Sequence, residues 1–547
     1  MPNMFDIKRS HDLSISQLAQ MGAAKLIQLL LHYVLMVVGW VWVPVTESLF
    51  SSWYDGSAET VSPVEDEVLL DSATSLARKI RSRELKAADV MERFISRVEK
   101  CKDLLNVVVY TLYDKALAEA HELDRQLDAD NKDDRFSEEN MPLLGVPLSV
   151  KEAFAVKGMP NCSGLVSRKD YRSECDCPVV SRLRAAGAIP FCLTNTSELC
   201  MWYESANWVY GRSKNPYNTG RIVGGSSGGE AGNVGSGGAL IGIGSDIGGS
   251  IRMPAFFCGI FGHRPSRGFV PNEGQFPMAG GREQDLLSTG PMCRYMEDIV
   301  PTLKVMAGKD EQVDLNKKVD VSKLTVYNIE DDGGSLLLSK VDPQLKEAQA
   351  RAVHYLQTSA GVTVKTMKVE KFKYAFEMWS ARMTTAEGKN SFQALLGGEN
   401  GKINPLVELL KWFVHCSNHT LPAITLGLVE SLNPLLEGSN KRSLKGLEKL
   451  EEEMKEMLDE NSVILYPTHP KIAPYHNQPI LYPFNWAYTG LFNALGLPVT
   501  AVPLGLDKKG LPLGIQIVAG MNYDRVSIAV AQELAKGNVA RWVNPGT

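Results

Sequence analysis

The stretch 224–252 reads GGSSGGEAGNVGSGGALIGIGSDIGGSIR and sets two serines, Ser226 and Ser250, among glycines, with Lys151 upstream in GVPLSVKEAF. Glycine at this density permits positive φ and lets backbone N–H groups approach a ligand closely, which suits an anion-stabilising cradle around a serine nucleophile. A serine hydroxyl attacks a carbonyl only when a nearby base takes its proton. Lysine can be that base once it is neutral, which means bringing its pKa from about 10.4 to about 7 or 8 by burial, worth roughly 4 kcal/mol. The apolar run Val146-Pro-Leu-Ser-Val150 just before Lys151 is compatible with such burial.

Other motifs compete for the same residues. No GxxxxGK[ST] occurs, so a phosphate-cradling P-loop lacks its lysine, and Gly242-Ile-Gly244-Ser-Asp-Ile does not complete GxGxxG. Gly224-Gly-Ser226-Ser-Gly228 matches the GxSxG elbow, which would make Ser226 the attacking group and call for a histidine base. His263, in Gly-His-Arg-Pro, is the best candidate for that base, although the setting reads as a turn histidine. The blandest alternative is that these glycines only allow tight turns and close helix-to-strand packing.

GVPLSVKEAF, GGSSGGEAG and GSDIGGSIRMPAFFCGIFGHRPS together resemble the amidase signature family of serine hydrolases. Similar segments recur at 194–218, 288–299 and 491–520, so the resemblance covers roughly 70–547. It implies a Lys/cis-Ser/Ser triad in which Ser250 is the nucleophile, Ser226 the bridging serine after a cis peptide bond, and Lys151 the base. The backbone N–H groups of Ile247, Gly248, Gly249 and Ser250 match the family's oxyanion hole. Ser227, Asp246 and Arg252 are expected as hydrogen-bond partners behind the reacting groups, with Arg252 either ordering the glycine loop or pairing with a carboxylate. Ser226 would relay the proton of Ser250 to Lys151 and later return it to the leaving nitrogen. Neither a cofactor nor a metal is needed.

The elements that must position these groups alternate between helical and β-like patterns. Leu76, Ile80, Leu85, Val90, Phe94 and Val98 lie among charged residues at amphipathic helical spacing, and VVVY at 107–110 reads as a strand. IPFCLT (189–194), LTVYNI (324–329), SVILYP (462–467) and LGIQIVAG (513–520) are further β-like runs. Residues 440–461 form a charged helix with Leu444, Leu447, Leu450, Met454, Met457 and Leu458 on one stripe. An α/β body follows, a central twisted mixed sheet wrapped by helices. With 547 residues, of which 44% are hydrophobic, the chain can bury an extensive core, and the resemblance implies one continuous catalytic domain over 68–547. A net charge of −5 and the lack of a basic stripe give nucleic acid nothing to bind. The nine cysteines are an odd number without a disulfide framework or metal-ligand spacing, and read as ordinary thiols.

The N-terminus differs in character. Leu26 to Val43 carries no formal charge and would reach roughly 27 Å as a helix, close to the hydrocarbon thickness, with Trp40 and Trp42 near one end. A transmembrane anchor is therefore expected in 1–45, followed by a linker at 46–67 rich in Ser, Pro and acidic residues. Lys8, Arg9 and Lys25 precede the apolar run, which favours a cytosolic N-terminus and a lumenal catalytic domain on the endoplasmic reticulum or another internal membrane. Of the sequons at Asn161, Asn195 and Asn418, the first two fall inside family-like catalytic segments, leaving Asn418 as the glycan candidate.

Substrate choice must come from lining residues. Met201 and Trp202 match positions near the family's acyl channel, and a further apolar stretch runs from Leu421 to Val429 with Trp412 and Phe413 before it, as channel lining, helix packing or a membrane-facing cap. The expected reaction is hydrolysis of long-chain fatty acid amides, with a small polar or aryl amide, or lipid-amide binding without catalysis, as alternatives. Homodimerisation stays open.

Overall fold

The computed structural model describes residues 45–129, 133–308, 313–388, 390–433 and 437–547. The chain divides into two units, Met1–Ser57 and Ala58–Thr547. In the first, residues 45–54 are helical and a 3-10 turn follows at Asp55–Ser57, so the stretch expected as a linker is helical to 57 and without regular secondary structure only over 58–66. No proline occurs between 45 and 62 to interrupt those turns. The expected span Leu26 to Val43 lies outside the described residues. Among the described residues no helix is long and apolar enough to cross a membrane.

The second unit is built on an eleven-stranded sheet. In chain order its strands are β1 (Val108–Thr111), β2 (Pro147–Lys151), β3 (Ile189–Thr194), β4 (Ile241–Asp246), β5 (Phe261–Arg264) and β6 (Ser288–Cys293). They continue as β7 (Thr325–Asn328), β8 (Thr363–Thr366), β9 (Ser462–Pro467), β10 (Val499–Leu506) and β11 (Pro512–Ala519). Across the sheet the order is β1-β3-β2-β4-β6-β5-β10-β11-β9-β7-β8. Strand β2 pairs in parallel with β3 and β4, and β7 with β8 and β9, whereas the remaining pairs are antiparallel. The sheet is thus mixed, as the alternating patterns suggested. Every residue of β2, β3, β4, β6, β9 and β11 is buried, as in a sheet covered on both faces, and this is why runs such as IPFCLT in β3 and SVILYP in β9 are largely apolar rather than alternating, while β2, β4 and β6 bury polar residues as well.

Helices Ala73–Arg81 and Ala87–Leu105 turn Leu76, Ile80, Val90, Phe94 and Val98 into the core. Six further helices matter to the site: α1 (Gly228–Gly235), α2 (Arg252–Phe257), α3 (Ala375–Thr384), α4 (Pro405–Phe413), α5 (Leu421–Leu432) and α6 (Glu437–Met457). The last of these buries Leu447, Leu450 and Met454 on its expected stripe. Four of the six, α3 to α6, fall between β8 and β9, a segment that adds no strand to the sheet among its described residues. Helices α4 and α5 start in the same way, with a proline in the first turn and a preceding side chain, Asn404 or Thr420, accepting a hydrogen bond from the helix N-terminus. The outer face of α4 leaves Leu406, Leu410 and Phe413 each more than 60% exposed.

His263 is a correction. It stands in β5, fully buried, with Nδ1 at 2.9 Å from Thr500 Oγ1 and Nε2 at 3.1 Å from Asp524 Oδ1. The neighbouring Gly262, which suggested a turn, is bare because a Cβ there would sit 2.9 Å from Ala255 Cβ and Ile251 Cγ2. That glycine marks helix α2 pressed onto the sheet.

Candidate active site

Lys151 ends β2, wholly buried, and its Nζ hydrogen-bonds Ser226 Oγ at 2.8 Å and Ser245 Oγ at 3.0 Å. Burial pulls the amine's pKa down, against the opposing pull of Cys200, Asp246 and Glu230. Ser226 follows a cis peptide bond from Gly225, as the resemblance implied. A side chain at Gly225 would put its Cβ 2.5 Å from Trp202 O, so the serine turn can lie against the loop bearing Trp202 only as glycine. Immediately afterwards Ser227 opens α1, and its hydroxyl bonds the backbone of Ser245 in both directions at 3.3 Å.

Strand β4 ends at Asp246, and the chain then turns through Ile247-Gly-Gly249 to Ser250 before entering α2. Asp246 and Arg252, both fully buried, close this turn with a 3.0 Å ion pair. Burial alone would raise the Asp246 carboxyl, but the Arg252 guanidinium beside it holds it well below the usual carboxylate range. Arg252 also donates to Thr489 O at 3.0 Å, Gln516 Oε1 at 2.9 Å and Asn493 Oδ1 at 2.5 Å. Arg252 therefore does both things left open from its position: it pairs with a carboxylate and orders the glycine loop. Gly249 has φ of 123°, and a Cβ there would meet Thr489 Oγ1 at 1.9 Å. Its N–H donates to Asp246 Oδ1 at 2.6 Å, so of the four N–H groups expected to form an oxyanion cradle Gly249's is already engaged.

A cavity of about 430 Å³ opens onto these groups, lined by Ser226, Ser245, Ile247, Gly248 and Ser250. Met201 and Trp202, which follow TNTSEL, also line it. Beyond them the wall is mostly apolar, from Phe376, Trp379 and Met383 of α3 and Leu421, Leu426 and Val429 of α5. Trp412 and Phe413 are not part of that wall; Phe413 instead faces outward, 66% exposed. This volume suits a small-molecule or single-chain ligand.

Three contributors were not legible beforehand. Ser245, the second hydroxyl on Lys151, sits in an unremarkable GIGSD run, and only the parallel pairing of β2 with β4 brings it to the lysine. Cys200, at the end of a 3-10 turn after β3, lines the cavity and opposes the burial that lowers the Lys151 pKa. Asn493, whose amide donates to both Asp246 O and Asp246 Oδ1 at 2.9 Å, comes from far along the chain. Among the sequons, Asn161 and Asn195 are buried with their amides bonded to Ala153 O and Ser213 Oγ, whereas Asn418 is exposed.

Comparison with known proteins agrees with this geometry. The family profile described as Amidase matches residues 89–526. Fatty-acid amide hydrolase 2 of Homo sapiens is 49% identical, over 90% of this chain and 93% of that protein. Fatty-acid amide hydrolase 2-A of Danio rerio is 46% identical, over 91% and 94% respectively. Among solved structures, one titled fatty acid amide hydrolase superposes with a TM-score of 0.68 at 25% identity, covering 86% of this chain and 85% of that one. A buried lysine hydrogen-bonded to Ser226, a glycine turn clamped by Asp246 and Arg252, and a profile match across four-fifths of the sequence converge on one conclusion: the chain is a hydrolase of the amidase signature family.

Proposed function

We propose that the protein hydrolyses long-chain fatty acid amides, primary amides and N-acylethanolamines, to the free acid and ammonia or an amine. The observation that carries this reading is the cavity itself, which holds Ser226 and Ser250 against a long, mostly apolar wall. High identity to two fatty-acid amide hydrolases supports it. Ser250 Oγ attacks the amide carbon while its proton passes to Ser226 and the proton of Ser226 passes to neutral Lys151. Backbone N–H groups of Ile247, Gly248 and Ser250 receive the developing oxyanion. The proton on Lys151 then returns through Ser226 to the nitrogen as the C–N bond breaks, leaving an ester on Ser250. Water attacks that ester, the same relay takes its proton and returns one to Ser250, and the fatty acid departs with the lysine neutral again.

Membrane attachment is part of the proposal: the apolar run Leu26 to Val43 would anchor the chain, and the exposed apolar face of α4 is suited to lie against lipid. Two measurements test the function. Ser250→Ala should abolish labelling by a fluorophosphonate probe, with Lys151→Ala reducing turnover by orders of magnitude and Ser226→Ala falling between. Across acyl amides of about four to twenty carbons, kcat/KM should climb by up to about fourfold per CH2 until the cavity is full. A flat or falling series returns the protein to small-amide hydrolysis, and full labelling of folded Ser250→Ala removes the mechanism.

A further inference from the structure

The acyl cavity has two walls that come from distant parts of the chain, and one buried pair joins them from behind. Leu199, Cys200, Met201 and Trp202 form one wall, and Leu421 with Pro422 begins the other. Glu198 immediately precedes the first wall, and His419 and Thr420 immediately precede the second; none of these three lines the cavity. Both oxygens of the Glu198 carboxylate cross the gap: Oε1 lies 2.8 Å from His419 Nδ1, and Oε2 accepts from Thr420 N at 2.7 Å. The pair is shut away from water, Glu198 being 3% exposed and His419 7%.

Around this pair the backbone and core are arranged to depend on it. Leu199 and Cys200 take left-handed φ angles of 51° and 60°, which residues with a Cβ hold only when their surroundings impose them. Leu199 packs in a small separate core with Leu165, Leu396 and Ala423 of α5, so the same two walls meet again through apolar contact. Ser197 fixes the far end of the loop, its hydroxyl donating to Trp202 O at 2.9 Å and accepting from Trp202 N at 3.2 Å.

We infer that Glu198 and His419 act as a clasp, a pair of positioning residues that hold α5 against the 199–202 loop and thereby set the acyl-chain length the enzyme prefers. This rests on the fatty-acid amide reading above. The reacting serines lie in the turns before α1 and after β4, outside both the 199–202 loop and α5, so loosening the clasp widens the distal wall while leaving the relay in place. Long chains, which contact both walls, lose most; short amides, which reach only the serines, lose little.

Steady-state kinetics of the full-length protein in detergent micelles on the same acyl series tests this. Glu198→Gln and His419→Ala should lower kcat/KM for the longest amides by about tenfold or more, chiefly through KM, and leave the shortest within about twofold. His419→Asn, whose amide nitrogen can stand where Nδ1 donates, should restore most of the long-chain rate, and fluorophosphonate labelling of Ser250 should persist in all three. A wild-type series that rises with length but is matched by the variants overturns the clasp alone. A flat wild-type series overturns both the clasp and the function it rests on. Equal loss on every substrate, unrescued by Asn and accompanied by loss of labelling, makes the pair a matter of general stability and likewise overturns the inference.

Discussion

Lys151 is bonded to hydroxyls rather than to carboxylates, and its chemistry depends on that choice. A carboxylate partner would trap it as ammonium, whereas a buried amine facing two serines keeps the neutral form within reach. Since burial lowers its pKa from the ordinary 10.5, activity should rise with pH through the lowered value and not wait for 10.5. The same shift has a stability consequence of definite sign. Between the lowered pKa and 10.5 the unfolded chain binds one proton more than the folded one at this site, so Lys151 makes stability increase with pH across that window. Lys151→Met should therefore melt above the wild type at neutral pH, with the gap closing toward pH 10.5. Melting temperatures measured across this range check it; a deficit that stays constant with pH would contradict it. Asp246 behaves oppositely, its lowered pKa placing the loss of its contribution only in strongly acidic solution.

At the scale of the element, the turn after β4 leaves no room for change. Gly249→Ala combines a left-handed φ with a Cβ 1.9 Å from Thr489 Oγ1, so the turn must move and the N–H groups beside Ser250 with it. Turnover should drop by about two orders of magnitude or more, the size of losing an oxyanion donor, while circular dichroism stays near that of the wild type. What the sequence could disclose follows from how local each feature is. The strands Ile189–Thr194 and Ser462–Pro467 and the stripe of α6 were readable because periodicity and apolar runs are written along the chain. Lys151, Ser226 and Ser250 were readable because each sits in a compact motif. Ser245, Cys200 and the Glu198 clasp were not, because strand pairing and helix docking create them from residues that look ordinary in isolation. His263 misled for the converse reason: Gly262 and Pro265 are local turn signals, but pairing of β5 with β6 and β10 prevails over them.

For the whole molecule, the expectation is attachment to lipid at two places of different strength. Full-length protein should resist alkaline carbonate, and removal of residues 1–45 should make it extractable; release of the intact chain by carbonate alone would exclude a spanning helix there. Replacing Leu410 and Phe413 by serine in the truncated form should then move it further from the detergent phase, since both side chains are two-thirds exposed. Beyond this, the order of elements separates two kinds of inheritance. Lys151, Ser226, Ser245 and Ser250 all fall between β2 and the start of α2, within a hundred consecutive residues, whereas α3 and α5 belong to the helical segment between β8 and β9, whose described residues add no strand to the sheet. Apart from Trp379, whose indole donates to Ile247 O at 2.8 Å, that segment can be lengthened, shortened or repainted at residues that enter no strand pairing. Descendants of such a chain can wander among substrates of different girth and length while their bond-breaking apparatus stays still, and two relatives with the same reaction can differ most where their helices between these two strands differ.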